Sequence, residues 1–236
     1  MLKPIITNTI ADPLAKVTAR IQQAMQAAGR KPQSVRLIAV SKTQPAEALA
    51  QAYAAGQRDF GENYLQEALE KQVKLQYLED IVWHFIGPIQ SNKTRPIAEN
   101  FTWVHSIDRE KIAQRLNDQR PTQLEPLQVC IQVNIDDEST KSGVSLADLP
   151  RLAQAISQMP RLQLRGLMSI PSAANNAHQQ NAAFNKLHVA LEQLQLRGLD
   201  TLSMGMSGDL EAAIAQGSTM VRVGTDIFGA RAKPLQ

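Results

Sequence analysis

The chain has 236 residues, 43% hydrophobic and 20% charged, with a net charge of +3: ordinary globular material, and enough for one large domain. The absence of any Lys/Arg run and a content of only 4% aromatic residues argue against a nucleic-acid surface, and no apolar stretch approaches the roughly 20 residues that cross a bilayer. The single cysteine, Cys130, has no internal partner, and Met1-Leu2-Lys3-Pro4-Ile5-Ile6 is too short an apolar stretch for a signal peptide, so a reducing cytoplasm is the expected setting.

Ile10, Leu14, Val17, Ile21 and Met25 recur every three or four residues, which predicts an amphipathic helix over 8–28, stopped by Gly29. Residues 35–41 read as a buried strand that delivers Lys42 to its carboxyl end. Pro45 is expected at the first position of the next helix, where a missing N–H costs nothing, and Gly56 closes that helix. Further strands are predicted over 58–60, 82–86, 103–106, 127–134, 163–169, 201–204 and 220–223. Helical stretches over 62–78, 92–99, 109–118, 146–158, 177–196 and 208–215 lie between them.

Eight strands alternating with helices imply a parallel sheet covered by helices. No G-x-G-x-x-G follows the first strand, so a closed (β/α)8 TIM barrel fits better than an open dinucleotide-binding sheet. The extra N-terminal helix should plug or flank the bottom of the barrel. The polar stretch 172–176 is too short for a linker, so residues 1–236 are expected to form a single domain.

In such a barrel the site is built at the carboxyl ends of the strands. A buried strand that ends in a lysine offers a desolvated amine for Schiff-base chemistry, although a strand-end lysine facing water is the commoner outcome. The loops after the last two strands, Met204-Gly205-Met206-Ser207-Gly208-Asp209 and Arg222-Val223-Gly224-Thr225, suit a phosphate held by backbone amides, with the Ser207 and Thr225 hydroxyls adding donors. The plainer reading is that these glycines make tight turns and Ser207 caps a helix. Asp209 counts against an anion there unless its carboxylate points away. An amine, an anion cradle and an arginine between them are the three features pyridoxal phosphate requires; a Schiff-base aldolase on phosphorylated sugars requires only the first two.

The segments Ala39-Val40-Ser41-Lys42-Thr43, Phe60-Gly61-Glu62-Asn63-Tyr64, His84-Phe85-Ile86-Gly87-Pro88-Ile89-Gln90-Ser91-Asn92-Lys93, Gly166-Leu167-Met168, Met204-Gly205-Met206-Ser207 and Val221-Arg222-Val223-Gly224-Thr225 resemble the pyridoxal phosphate homeostasis proteins. These are single-domain relatives of the alanine racemase barrel, and the chain looks closest to the enterobacterial-type members. The resemblance runs from near Pro32 to near Arg231. It implies an alanine-racemase-like, type III pyridoxal phosphate fold with pyridoxal 5'-phosphate bound as a Schiff base on Lys42. It further implies that Ser207, Gly224 and Thr225 bind the phosphate, that Arg222 faces the pyridine nitrogen, and that Asn63 lies near the cofactor with Met168 and Met206 packed beside it. Gly208 stands where near relatives carry a polar residue, but its amide remains available. Lys141, in Ser139-Thr140-Lys141-Ser142-Gly143, matches a loop lysine that contacts the cofactor secondarily in the family; solvent is the usual home of such a residue.

A guanidinium donates to the pyridine nitrogen without supplying a proton, which leaves the ring a poor electron sink. The related racemases compensate with two bases, one a tyrosine from a partner's second domain, and this chain ends some ten residues after its last strand, leaving no room for such a domain. The expectation is a monomeric cofactor carrier in vitamin B6 and amino-acid homeostasis without robust turnover, its partners being pyridoxal phosphate and pyridoxal phosphate-dependent apoenzymes. The alternatives are a small amino-acid racemase using Tyr64 or His84 as the missing base, and the sugar-phosphate aldolase. Tyr64 reads more simply as a residue of a first helical turn, and His84 as a buried, hydrogen-bonded strand residue.

Overall fold

The computed structural model describes residues 9–138, 141–172 and 177–229. Its strands are β1 (Arg36–Val40), β2 (Asp59–Glu62), β3 (Val82–Phe85), β4 (Trp103–Ile107), β5 (Leu127–Gln132), β6 (Leu162–Met168), β7 (Thr201–Ser203) and β8 (Met220–Val223). Each pairs in parallel with the next, and β8 returns to β1 in the register Arg36↔Met220 to Ala39↔Val223, so the sheet closes into the expected barrel. The strands read as near-continuous apolar runs because both of their faces are covered; every residue of β4 is buried.

The helices are α1 (Ala11–Ala27), α2 (Ala46–Ala54), α3 (Leu65–Lys74), α4 (Thr94–Asn100), α5 (Glu110–Gln119), α6 (Leu149–Ser157), α7 (Ala177–Gln193), α8 (Leu210–Ala215) and α9 (Thr225–Phe228), with a 3₁₀ turn at Ser91–Lys93 before α4. Their apolar stripes, such as Ile112, Ala113 and Leu116 on α5, lie on the outside of the sheet, where each large side chain contributes about 1.5–3 kcal/mol by burial. Leu14, Val17 and Ile21 of α1 pack with Leu49 of α2, Leu210 of α8 and Ile227 of α9. The leading helix therefore flanks the outer seam between the last unit and the first; it plugs nothing.

Several boundaries differ from expectation for local reasons. Pro45, expected at the first helical position, instead precedes α2 as its N-cap with extended ψ of 155°, and Ala46 is the first helical residue. β2 continues through Glu62, which delays α3 to Leu65, and Pro150 in the first turn of α6 moves that start from 146 to Leu149. α8 starts two residues late because the Asp209 carboxylate accepts the Met206 N–H and makes a turn first. α9 had no sequence signal. Asn8, Ser139, Thr140, residues 173–176 and Arg231 lie outside the described residues.

The barrel interior is mixed. Ile38, Trp103, Cys130, Met168 and Met220 form one apolar layer, in which burial pushes the Cys130 thiol up to about 12 and so keeps it an unreactive thiol. Beside this layer His84 and His105 are fully buried, their rings 2.9 Å apart between His84 Nδ1 and His105 Nε2. Burial lowers the pKa of both below the usual 6.5, that of His105 well below. Gly166 of β6 meets β7 so closely that a Cβ there would stand 1.8 Å from the Thr201 carbonyl oxygen. No helix among the described residues is long and apolar enough to cross a membrane, and none of their side chains form a metal-binding group of His, Cys, Asp and Glu.

Two outcomes follow for stability. Gly166→Ala should cost about 3 kcal/mol, read as a lowered urea midpoint at unchanged slope, because the colliding atom is backbone and cannot swing aside. Below pH 6.5 the unfolded imidazoles bind protons more readily than the folded ones, so stability should fall with acidification between 6.5 and each lowered folded-state pKa, by at most about 1.4 kcal/mol per pH unit for each histidine. Urea melts at about pH 7.5, 6.5 and 5.5 measure that slope, which a His84→Gln variant should reduce.

Candidate functional site

Barrel closure aims all eight strand ends at one mouth, and a cavity of about 280 Å³ opens there. Val40, Lys42 and Gln44 line it from β1 and the turn that follows, Asn63 from the end of β2 and Ile86 from the end of β3. Ile170 follows β6, Met206, Ser207 and Gly208 follow β7, and Arg222, Gly224 and Thr225 come from β8 and its loop. All seven residues singled out in the sequence (Lys42, Asn63, Met206, Ser207, Arg222, Gly224 and Thr225) thus share one cavity. Met168 is fully buried in the barrel below and does not line it, whereas Met206 is exposed at its rim. Lys141 does not line it either; its Nζ donates to Asp136 at 2.7 Å and to Ser172. A larger groove of about 1310 Å³ runs along α1 towards the opposite mouth, but its arginines are already paired, Arg36 with Asp59, Arg58 with Asp80 and Arg30 with backbone carbonyls.

The walls suit a polar, anionic ligand. Arg222 is nearly fully buried, held by Nη1 on the Ser203 carbonyl and hydroxyl and by Nη2 on the Ser169 carbonyl at 2.9 Å. Burial lowers its pKa to about 10, which still leaves it a cation at neutral pH. Asn63 Oδ1 is buried without a hydrogen-bond partner among the described residues, an acceptor awaiting a donor. A Cβ on Gly224 would stand 3.1 Å from the Val40 carbonyl, so glycine lets that loop pack closely against β1; one on Gly208 would meet nothing within 4 Å, so no close approach requires glycine there. Asp209, which seemed to oppose an anion, spends its carboxylate on the Met206 N–H; burial raises its pKa, which that bond and Arg222 partly offset.

Two groups that hold this site went unread in the sequence. Lys71 of α3 is buried, and its Nζ donates to the Ser41 carbonyl at 2.6 Å, to Glu62 Oε1 at 2.7 Å and to Glu67 Oε1 at 2.5 Å. Glu67 also accepts the N–H of Thr43 at 2.6 Å, holding a non-glycine residue at φ +64° on the far side of Lys42. Burial pushes the Glu62 carboxyl up, and Lys71 pulls it down. The signal was present: Lys71 falls on the inward stripe with Ala68, where an apolar residue belongs. The other group is Arg20 of α1, which reaches the Ser207 carbonyl at 3.0 Å, Glu211 at 3.0 Å and Asp226 at 2.7 Å, tying together the loops after β7 and β8. Nothing in its local sequence marked it. Tyr64 stands at the N-cap position of α3, exposed and outside the cavity, not in the first helical turn as expected, whereas His84 lies buried and hydrogen-bonded in the interior below, as its plainer reading had it.

The family model described as alanine racemase, N-terminal domain, matches residues 13–232. A pyridoxal phosphate homeostasis protein of Pseudomonas aeruginosa is 63% identical over 224 residues, covering 95% of this chain and 96% of that protein. Its counterpart in Escherichia coli K12 is 54% identical over 228 residues, covering 95% and 97%. Among solved structures, PipY of Synechococcus elongatus PCC7942 with PLP bound is 40% identical and superposes with a TM-score of 0.83 over 94% of this chain and all (100%) of that one. An alanine racemase from Corynebacterium glutamicum, 19% identical, shares the fold with a TM-score of 0.68 over 96% of this chain and 63% of its own. By sequence and by fold, the chain belongs to the pyridoxal phosphate homeostasis proteins, within the family of the alanine racemase N-terminal domain.

Proposed function

We propose that this chain binds pyridoxal phosphate at the carboxyl mouth, covalently through Lys42, and acts as a carrier in cofactor homeostasis, not as a catalyst with robust turnover. The observation that carries this reading is the convergence of an amine, a buried cation and the glycine-containing loops after β7 and β8 on one cavity of about 280 Å³. That volume is at the low end of ligand pockets, which run about 300–1,000 Å³, so it suits one small molecule better than a cofactor with a bulky substrate. The PLP-bound PipY structure lends support from a relative.

When bound, the cofactor supplies an aldehyde that condenses with amines and, in enzymes, a sink for electrons. The roles of the chain's own residues follow from their chemistry. Lys42 would provide the amine; the amides at Gly208 and Gly224, with the Ser207 and Thr225 hydroxyls, would donate to the phosphate. Asn63 offers its unpartnered oxygen, and Met206 covers the rim. Arg222 donates to the pyridine nitrogen and keeps its own proton, since even at about 10 its pKa exceeds that of a pyridine by several units. A ring bound there would stay unprotonated and would be a weak sink for carbanion electrons.

Among the described residues lining the cavity, the titratable side chains are Lys42 and Arg222, and racemisation needs a second base. This favours the carrier over the racemase, whose candidate bases Tyr64 and His84 lie outside the cavity. The buried arginine on the cavity wall, which a pyridine nitrogen would use and a sugar phosphate would not require, likewise favours it over the aldolase. The same reading makes residues 1–236 one cofactor-binding domain, a cytoplasmic monomer that exchanges cofactor with pyridoxal phosphate-dependent apoenzymes.

Purified wild type incubated with pyridoxal phosphate should turn yellow, and Lys42→Ala should lack the visible band while keeping a wild-type circular dichroism spectrum. A yellow Lys42→Ala would put the attachment elsewhere. Free amino acids offered to the loaded protein should remain unconverted, and L-alanine and L-serine should keep their optical activity; sustained turnover of any of them overturns the carrier reading.

A further inference from the structure

Below the cavity, the barrel interior carries a row of polar side chains that binding a cofactor does not by itself require. Arg222 Nη1 donates to Ser203 Oγ at 2.7 Å, and Ser203 Oγ lies 2.8 Å from His105 Nδ1. His105 Nε2 lies 2.9 Å from His84 Nδ1, and His84 Nε2 lies 2.9 Å from Asp59 Oδ1. Ser203, His105 and His84 are fully buried, and Arg222 is nearly so. The row crosses the barrel from β8 through β7, β4 and β3 to β2, descending from the carboxyl mouth to the amino mouth, where Arg36 meets Asp59 at 3.3 Å.

The two ends of this row dictate every proton between them. A guanidinium only donates and a carboxylate only accepts. Asp59 must therefore take the Nε2–H of His84, which leaves Nδ1 of a neutral His84 to accept the Nε2–H of His105. His105 Nδ1 then accepts the Ser203 hydroxyl proton, and the hydroxyl oxygen accepts from Arg222. Four hydrogen bonds point the same way, and both imidazoles are locked in the Nε2–H tautomer. Burial keeps both neutral, helped at His105 by His84, Arg222 and Arg36 and at His84 by Arg36; the Asp59 carboxylate opposes this at His84 alone. The remaining charged groups nearby are Arg165, stacked over Trp103 at 5.3 Å, its partner Asp200, and Asp209, which faces Arg222.

Barrel interiors are ordinarily filled by branched apolar side chains, and buried polar groups cost free energy unless each is satisfied. Here each member of the row is satisfied by the next, and the row ends on the one cation of the cavity wall that needs a fixed orientation. We infer that Ser203, His105 and His84 are positioning residues for Arg222, holding its guanidinium towards the cavity and coupling it to the Asp59 carboxylate at the opposite mouth. The functional consequence rests on the reading that Arg222 faces the cofactor ring; the hydrogen-bonded row does not. Aligned bonds polarise one another, so a change at Asp59, which does not line the cavity, is felt by the bound ring.

Nitrogen-15 NMR of the imidazoles in cofactor-free protein tests the row itself: both should be neutral Nε2–H tautomers from about pH 6 to about pH 8. An Nδ1–H tautomer or an imidazolium at either residue overturns the row and leaves the cofactor reading untouched. Asp59→Ala should then weaken pyridoxal phosphate binding by about fivefold and move the absorption maximum of the bound cofactor, whereas Asp59→Asn, which keeps an acceptor for His84, should restore both. Unchanged affinity and spectrum in Asp59→Ala, with wild-type melting, overturn the coupling. Should Asp59→Ala melt early, Ser203→Ala breaks the same row by removing one hydroxyl and is read against the same two outcomes. Failure of wild type to bind the cofactor at all sinks the cofactor reading, while the tautomers still decide the row.

Discussion

Hydrogen bonding between β8 and β1, from Arg36↔Met220 to Ala39↔Val223, is the constraint on which the rest of the structure depends. It leaves the sheet no edge, and it sets the first strand end beside the last, so that Lys42 meets Arg222, Gly224 and Thr225 across one cavity although some 180 residues separate them in the chain. α1 lies over that seam, joining the apolar faces of α2, α8 and α9, and Arg20 extends from it to the loops that would hold an anion. The helix that precedes the barrel thus supports the site from outside.

Magnitudes decide which polar contacts hold the site together. The ion pairs of Arg20 with Glu211 and Asp226 are partly exposed, and pairs of that kind contribute about 0–1 kcal/mol each. The cluster of Lys71, Glu62 and Ser41 is buried, and removing one partner from a buried pair costs about 3–5 kcal/mol because a charge is left stranded. That exceeds the roughly 1–3 kcal/mol stored by a residue such as Thr43 in the left-handed region. The clamp behind β1 can therefore keep the Lys42 turn in a conformation that its own backbone resists, with Glu67 holding the Thr43 N–H and Lys71 the Ser41 carbonyl. Arg222 is held in the same manner, by buried serine oxygens on two neighbouring strands.

Where the pattern in the chain was local, it could be read. Alternating apolar runs and glycine stops located all eight strands and eight of the nine described helices, and the two glycine loops and the strand-end lysine located the cavity. Misplaced boundaries fell where a side chain contradicted its local context. Glu62 looked like a helix opener and is a buried strand residue because Lys71, nine positions on, neutralises it; Asp209 looked like an obstacle to an anion and is a turn residue. Arg20 gave no hint, since its partners Ser207 and Asp226 lie some 190 and 206 residues away.

The sequence by itself determined the element order, the family and the identity of the residues that face the mouth, because hydrophobic period, turn chemistry and motif order are properties of neighbours along the chain. Only the tertiary structure decided how those residues are held. The Lys71 clamp, the Arg20 bracket and the row from Arg222 to Asp59 each join separate elements; the clamp and the row are stabilised by burial, which lowers the local dielectric and makes each polar partner obligatory, while the Arg20 bracket is partly exposed. Such partnerships have no period and no spacing of their own: they exist only once the barrel has closed around them.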